Sequence, residues 1–157
     1  MPRGSSPPTP LQEKALDLLS RRRLSRGELK MKLAVTKYPE SEIEALLDRF
    51  EEINLLDDEA LADDFAAARI SHRPMGKMLL KLELKKRLLS NELVEKTVEK
   101  AFREVKEEEL AEKECSRLLE KTVSRKKIWD ALCRRGFQFR TVGEVMTKLQ
   151  PEDGYEA

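Results

Sequence analysis

The apolar positions of one stretch of this chain return twice, in an unbroken register. Leu29, Leu33, Tyr38, Ile43 and Phe50 align with Ile128, Leu132, Phe137, Val142 and Leu149 at a constant shift of 99 residues (29 to 128). The first four also align with Leu80, Leu84, Leu89 and Val94 at a shift of 51 (29 to 80). A period near 50 residues marks an array of small units, each with an apolar face that only a neighbour can cover. The expectation is an elongated, curved array of three tandem three-helix repeats with helix-turn-helix-like units. A hydrophobic share of 39% in 157 residues is lean for one large core and suits several small ones.

The local signals are helical, and the fold class is all-α. Charged residues make up 39% of the chain and aromatics only 5%, which favours amphipathic helices over sheets. Leu11, Ala15, Leu18 and Leu19 recur at helical spacing and give way to Arg21, Arg22 and Arg23, cations suited to a helix C-terminus. Ser25-Arg-Gly-Glu28 reads as a capping box opening a helix with Leu29, Leu33 and Ala34, and Ser41-Glu-Ile-Glu44 reads as another before Ile43, Leu46, Leu47 and Phe50.

In the second round, Asp57 or Asp58 caps a helix with Leu61, Ala62, Phe65 and Ala68, Pro74-Met75-Gly76 breaks the chain, and Ser90 caps the helix of Val94 and Val98. The third starts at the acidic turn Glu107 to Glu109. Ser124 caps its second helix, Gly136 supplies a left-handed end, and Thr141-Val-Gly-Glu144 reads as a capping box. The resulting division is a disordered tail at 1–9, repeats at 10–56, 57–105 and 106–150, and an acidic tail at 151–157.

Catalysis needs an activated nucleophile, a metal or paired carboxylates, and little here supplies one. His72 is the sole histidine and reads as a solvated loop residue. Cys115 and Cys133 lack metal-ligand spacing, and the acidic runs sit at helix starts where they act as caps. No enzyme activity, cofactor or metal is expected. Trp129 falls within the apolar pattern of Ile128 and Leu132 and reads as packing. No apolar run is long enough to span a bilayer and no secretory h-region opens the chain, so a cytoplasmic protein is expected.

Lys+Arg total 31 against 30 Asp+Glu, a net charge of +1, so a polyanion site requires local segregation of charge. That segregation is present at the first turn of each round. Arg21, Arg22, Arg23, Arg26 and Lys30 gather at the first, and Arg69, Arg73, Lys77, Lys81 and Lys85 at the second. Arg125, Lys126, Lys127, Arg134, Arg135 and Arg140 surround the third. Any one of these lysines or arginines serves to solvate a helix face, but repetition is expected to bring the three groups to one side as a basic stripe.

Several words of the sequence together resemble the RecX family, bacterial regulators of the recombinase RecA. They are Ala15 to Arg22 leading into Ser25-Arg-Gly-Glu28-Leu29, Asn54-Leu55-Leu56-Asp57-Asp58-Glu59 with Ala62, Phe65 and Arg69 after it, Gly76 before Leu80 and Leu84, and Arg134-Arg135-Gly136-Phe137. The resemblance runs from about Leu11 to Leu149. It implies a non-enzymatic protein that lodges in the RecA filament on DNA, inhibits its ATPase and recombinase activities, and so modulates DNA repair and the SOS response.

On that resemblance Arg21, Arg22, Arg23, Arg26, Arg69, Arg73, Lys77, Lys81, Lys85, Arg134 and Arg135 are the expected partner contacts, in a monomer that also reaches single- or double-stranded DNA through the stripe. Two departures stand out: Gly76-Lys77 where the family has Gly-Pro, and Arg87-Leu88 where it has Lys-Gly. Leu88 in place of a left-handed glycine is expected to alter that turn or lengthen its helix. A direct nucleic-acid-binding helical module independent of RecA, or a helical adaptor for another protein, accounts for the same residues.

Overall fold

In the computed structural model, residues 6–149 are described, and among them there are nine helices and no strand. They are α1 (Pro10–Arg21), α2 (Arg26–Leu33), α3 (Glu40–Glu52), α4 (Asp58–His72), α5 (Lys77–Lys86), α6 (Asn91–Glu104), α7 (Glu107–Leu119), α8 (Arg125–Arg134) and α9 (Phe139–Leu149). The helix starts obey the register of the sequence. α2, α5 and α8 begin at 26, 77 and 125, and α3, α6 and α9 at 40, 91 and 139, the same shifts of 51 and 99. The leading helices α1, α4 and α7 begin at 10, 58 and 107 and break that spacing, so the ungapped register covers only the second and third helices of each group.

Burial explains why the register survives. Leu29, Leu33, Leu80, Leu84, Ile128 and Leu132 are all at 0% exposure, and Ile43, Val94 and Val142 are buried at the matching place in the third helices. A leucine taken fully out of water contributes about 1.5–3 kcal/mol. The described chain forms two compact units, residues 6–61 with 87–89 and residues 62–86 with 90–149. In the first, Leu11, Ala15, Leu24, Leu29, Leu33, Ile43, Leu46, Leu47, Phe50 and Leu56 form one core against which Leu18, Leu19 and Tyr38 pack. In the second, α5 packs on α6, and α9 packs on both α7 and α8. Trp129 is half-buried, its ring 4.0 Å from where a Cβ on Gly143 would lie.

Most caps fall where the sequence puts them. Ser25 and Glu28 form a complete capping box, Ser90 and Ser124 accept from the N–H groups of Leu93 and Lys127, and Asp57 accepts from Ala60 at 3.0 Å. Two expected boxes are corrected. α3 starts at Glu40 with Pro39 as its N-cap and no side-chain cap, because Pro39 already holds the extended backbone that precedes a helix, and Ser41 lies inside the first turn. α9 starts at Phe139, so Thr141 is an internal, buried residue whose hydroxyl donates to Glu107 Oε2 at 2.8 Å. The terminal tails lie largely outside the described residues. Within the described part, Thr9 is the N-cap of α1 and forms a capping box with Gln12. His72, read as a loop residue, is the exposed last residue of α4.

Candidate partner-binding site

In the first unit the turn 87–89, which follows α5, abuts the start of α2. The Ser25 hydroxyl donates to the Arg87 carbonyl at 2.6 Å, and Arg87 Nη2 donates to the Arg23 carbonyl at 3.1 Å. The Arg26 N–H, left over at the helix start, donates to Asp58 Oδ1 at 2.8 Å. A Cβ at Gly27 would sit 2.6 Å from the Leu88 carbonyl oxygen, so this approach requires glycine. Glu28 lies at the centre: it accepts from the Ser25 N–H at 3.0 Å, from Arg87 Nε at 3.1 Å and from Arg22 Nη2 at 3.2 Å. Burial works against its charge, but the hydrogen bonds from Arg87 and the Ser25 N–H outweigh it and hold the carboxyl below its ordinary pKa.

The second unit builds the same clasp from equivalent positions. Here the turn 135–137, after α8, abuts the start of α5. The Gly76 N–H donates to the Arg135 carbonyl at 2.8 Å and the Met78 N–H to the Gly136 carbonyl at 3.1 Å. Arg135 Nη2 donates to the Pro74 carbonyl at 2.9 Å, as Arg87 does to Arg23 in the first unit. The Lys77 N–H donates to Glu107 Oε1 at 3.0 Å, as Arg26 does to Asp58. Asp58 and Glu107 are the first residues of α4 and α7, but the helix starts they cap are those of α2 and α5; Asp57 caps α4 itself, whereas no side chain caps α7.

Many of the cations expected to meet a partner are engaged inside the chain. Arg26 is largely covered and pairs with Glu44 at 2.6 Å, Asp48 at 2.9 Å and Glu51 at 3.0 Å. Burial opposes its charge, yet hydrogen bonds to Glu51, Glu44 and Asp48 push its pKa well up. Arg21 pairs with Asp17, Arg22 with Glu28 and Lys81 with Glu95. Arg69 makes a two-pronged pair with Glu83 at 2.7 Å on both prongs, and Arg73 reaches the buried Glu114 at 2.6 Å. The Lys77 ammonium lies 5.8 Å from the centre of the Phe102 ring. Arg23 is exposed and its carbonyl is held by Arg87, while Lys85 and Arg134 are exposed without an ion pair among the described residues.

Glu114 is also bound by Arg117 at 2.7 Å, a residue the sequence reading did not single out. Burial would raise its pKa, but hydrogen bonds from Arg117 and Arg73 overcome this and lower it. The second unit therefore gathers Arg69, Arg73, Arg117 and Arg135 around two carboxylates, Glu83 and Glu114.

Comparison with known proteins matches this chain to one family. A family model described as RecX, first three-helix domain, matches residues 13–50. The regulatory protein RecX of Thermobifida fusca (strain YX) is 30% identical over 165 aligned positions, spanning 99% of this chain and 89% of that protein. The chain belongs to the RecX family. The regulatory protein RecX of Chlorobium phaeobacteroides (strain BS1) is 28% identical over 136 residues, 86% of this chain and 90% of that one. The crystal structure of RecX from Lactobacillus salivarius shares the fold with a TM-score of 0.70 at 22% identity, covering 87% of this chain and 92% of the other.

For a RecX chain the departure at Arg87-Leu88 leaves the turn intact. α5 ends at Lys86, and Leu88 itself takes the left-handed conformation at φ 55°, where Gly136 has φ 82°. In the second clasp the close approach demands glycine on both sides, because a Cβ on Gly76, just before α5, would lie 2.3 Å from the Gly136 carbonyl oxygen. Gly27 on the helix meets Leu88 in the turn, and Gly136 in the turn meets Leu79 on the helix. The shift of 51 carries the signal for both clasps in the sequence, since it relates Arg22 to Arg73 and Arg23 to Pro74.

Proposed function

We propose that this protein is a non-enzymatic regulator that binds the RecA filament on DNA and restrains its ATPase and recombinase activities, and thereby modulates DNA repair and the SOS response. The observation that carries the reading is the 30% identity to a regulatory protein RecX along 99% of this chain. The arginine-rich face of the second unit supports it, because four guanidinium groups gathered on two carboxylates leave local positive charge for an acidic surface or phosphates. Among the described residues no helix is long and apolar enough to cross a membrane. The protein acts as a monomer in the cytoplasm on this reading.

The test is RecA ATP hydrolysis on single-stranded DNA with this protein titrated in below one molecule per protomer. A fall in rate at substoichiometric ratios is expected of a regulator that blocks growth or propagates along the filament. An unchanged rate in excess of folded protein refutes the reading and favours a module that binds nucleic acid by itself. That module's affinity should fall steeply with salt and need no recombinase.

A further inference from the structure

Arg22 and Arg73 stand at equivalent positions 51 residues apart, each shortly before the second helix of its group, and Arg87 and Arg135 are equivalent across the two clasps. In the first unit Arg22 and Arg87 converge on the Glu28 carboxylate at 3.2 and 3.0 Å. In the second unit both arginines are kept, but the residue at the place of Glu28, again 51 positions on, is Leu79. Arg73 turns to Glu114, which it shares with Arg117. Arg135 hydrogen-bonds only backbone carbonyls among the described residues, those of Pro74 and Arg73.

The consequences are electrostatic and geometric. Burial and the like charges of Arg73 and Arg69 lower the pKa of Arg135, with Glu114 and Glu83 opposing them too weakly to reverse the shift. Arg69, Arg73, Arg117 and Arg135 all spend Nε and Nη2 on their internal partners, and among the described residues none of the four has an acceptor at Nη1. A guanidinium locked along one edge and open along the other is pre-organised for a further acceptor, since little side-chain entropy remains to be lost.

We propose that Arg73 and Arg135 together receive an acidic side chain of a protein partner, as Arg22 and Arg87 receive Glu28 within the chain. The inference rests on the reading of the protein as a filament regulator and names the chemistry of the contact. A carboxylate is favoured over a phosphate by the internal example of Glu28. A protein surface is also favoured by the apolar residues alongside, because Met78 is 61% exposed and Leu82, one turn further along α5, is 51% exposed.

The experiment uses three variants of the full chain: Leu79→Glu, which supplies the carboxylate internally, Leu79→Gln as its neutral control, and Arg135→Gln. Thermal melts test the arginine pair without any partner. Leu79→Glu should melt about 2–4 °C above Leu79→Gln at low salt, with the gap narrowing as salt rises. Binding to RecA assembled on single-stranded DNA, followed by co-sedimentation, should weaken at least roughly tenfold in Leu79→Glu and Arg135→Gln and stay near wild type in Leu79→Gln. Binding to the same DNA alone should not distinguish the variants.

Equal melting of Leu79→Glu and Leu79→Gln overturns the proposal, and so does filament binding that is the same in all four proteins. A parallel loss on DNA alone overturns it in favour of a phosphodiester. A wild-type protein that ignores the filament, with the melting gap intact, refutes the regulator reading while supporting a carboxylate-receiving arginine pair.

Discussion

Replacing Gly136 with alanine tests the clasp of the second unit at its tightest point. Gly136 has φ 82°, and a Cβ added there would lie 2.8 Å from Leu79 Cα and closer still to the Leu79 N and Cβ. Left-handed backbone costs an L-residue about 1–2 kcal/mol. Forcing a methyl group against backbone atoms that cannot rotate away adds about 1–3 kcal/mol. Reduced freedom of the unfolded chain returns about 0.4–1 kcal/mol. The net loss should be about 2–4 kcal/mol, which at about 2–4 °C per kcal/mol for a chain of this size lowers the melting temperature by roughly 5–15 °C.

The control is Gly143→Ala, inside α9, where the added Cβ meets only the Trp129 ring at 4.0 Å. That substitution should stabilise by up to about 1 kcal/mol through helix propensity. Circular dichroism melts at 222 nm read both. If Gly136→Ala melts within about 2 °C of wild type, or if the two shifts share a sign, the rigid approach of the turn to α5 is not what the glycine is for.

Two further outcomes follow from the buried polar groups. Glu114→Gln should cost about 1–3 kcal/mol at pH 7, discounted for the partly exposed Arg73 and Arg117 that water can resolvate. Because the folded carboxyl titrates below the unfolded value of about 4.3, its contribution is complete above that pH and disappears as pH falls through the folded pKa. Urea midpoints of the two proteins should therefore converge in acid, and a gap that persists at the lowest pH would contradict the assignment. Ser25→Ala should cost about 1–3 kcal/mol, since it removes both a cap and the bond to the Arg87 carbonyl. The exposed cap Ser90→Ala should cost only about 1 kcal/mol in the same melts. Equal losses would mean that the longer-range bond adds nothing.

The helices were legible because burial imposes a period on the sequence. Leu29, Leu80 and Ile128 had to be apolar whatever surrounded them, and the serine caps announce themselves within four residues. The misplaced starts of α3 and α9 have a common cause. Ser41 and Thr141 match the capping pattern in type and spacing, but whether a hydroxyl caps a helix depends on backbone already committed upstream, at Pro39 and Phe139. The basic stripe was visible only as a surplus of cations. That Arg26 is held by three acids of α3, and that Arg135 meets carbonyls where Arg87 meets a carboxylate, depends on which helices lie side by side. Arg117 carried no signal of its own, because its partner Glu114 becomes informative only once it is buried.

The glycines of the two clasps bear on which helix start each turn can receive. The Gly136 turn bears no side chain at its contact point, yet it too demands a glycine opposite, because a Cβ on Gly76 would lie 2.3 Å from the Gly136 carbonyl oxygen. The Leu88 turn makes a like demand at the second residue of the opposing helix. α2 offers Gly27 there, whereas α8 offers Lys126. A turn that leaves no room for a Cβ opposite it fits a helix start that carries glycine there, as α2 does, and not one that carries a side chain, as α8 does.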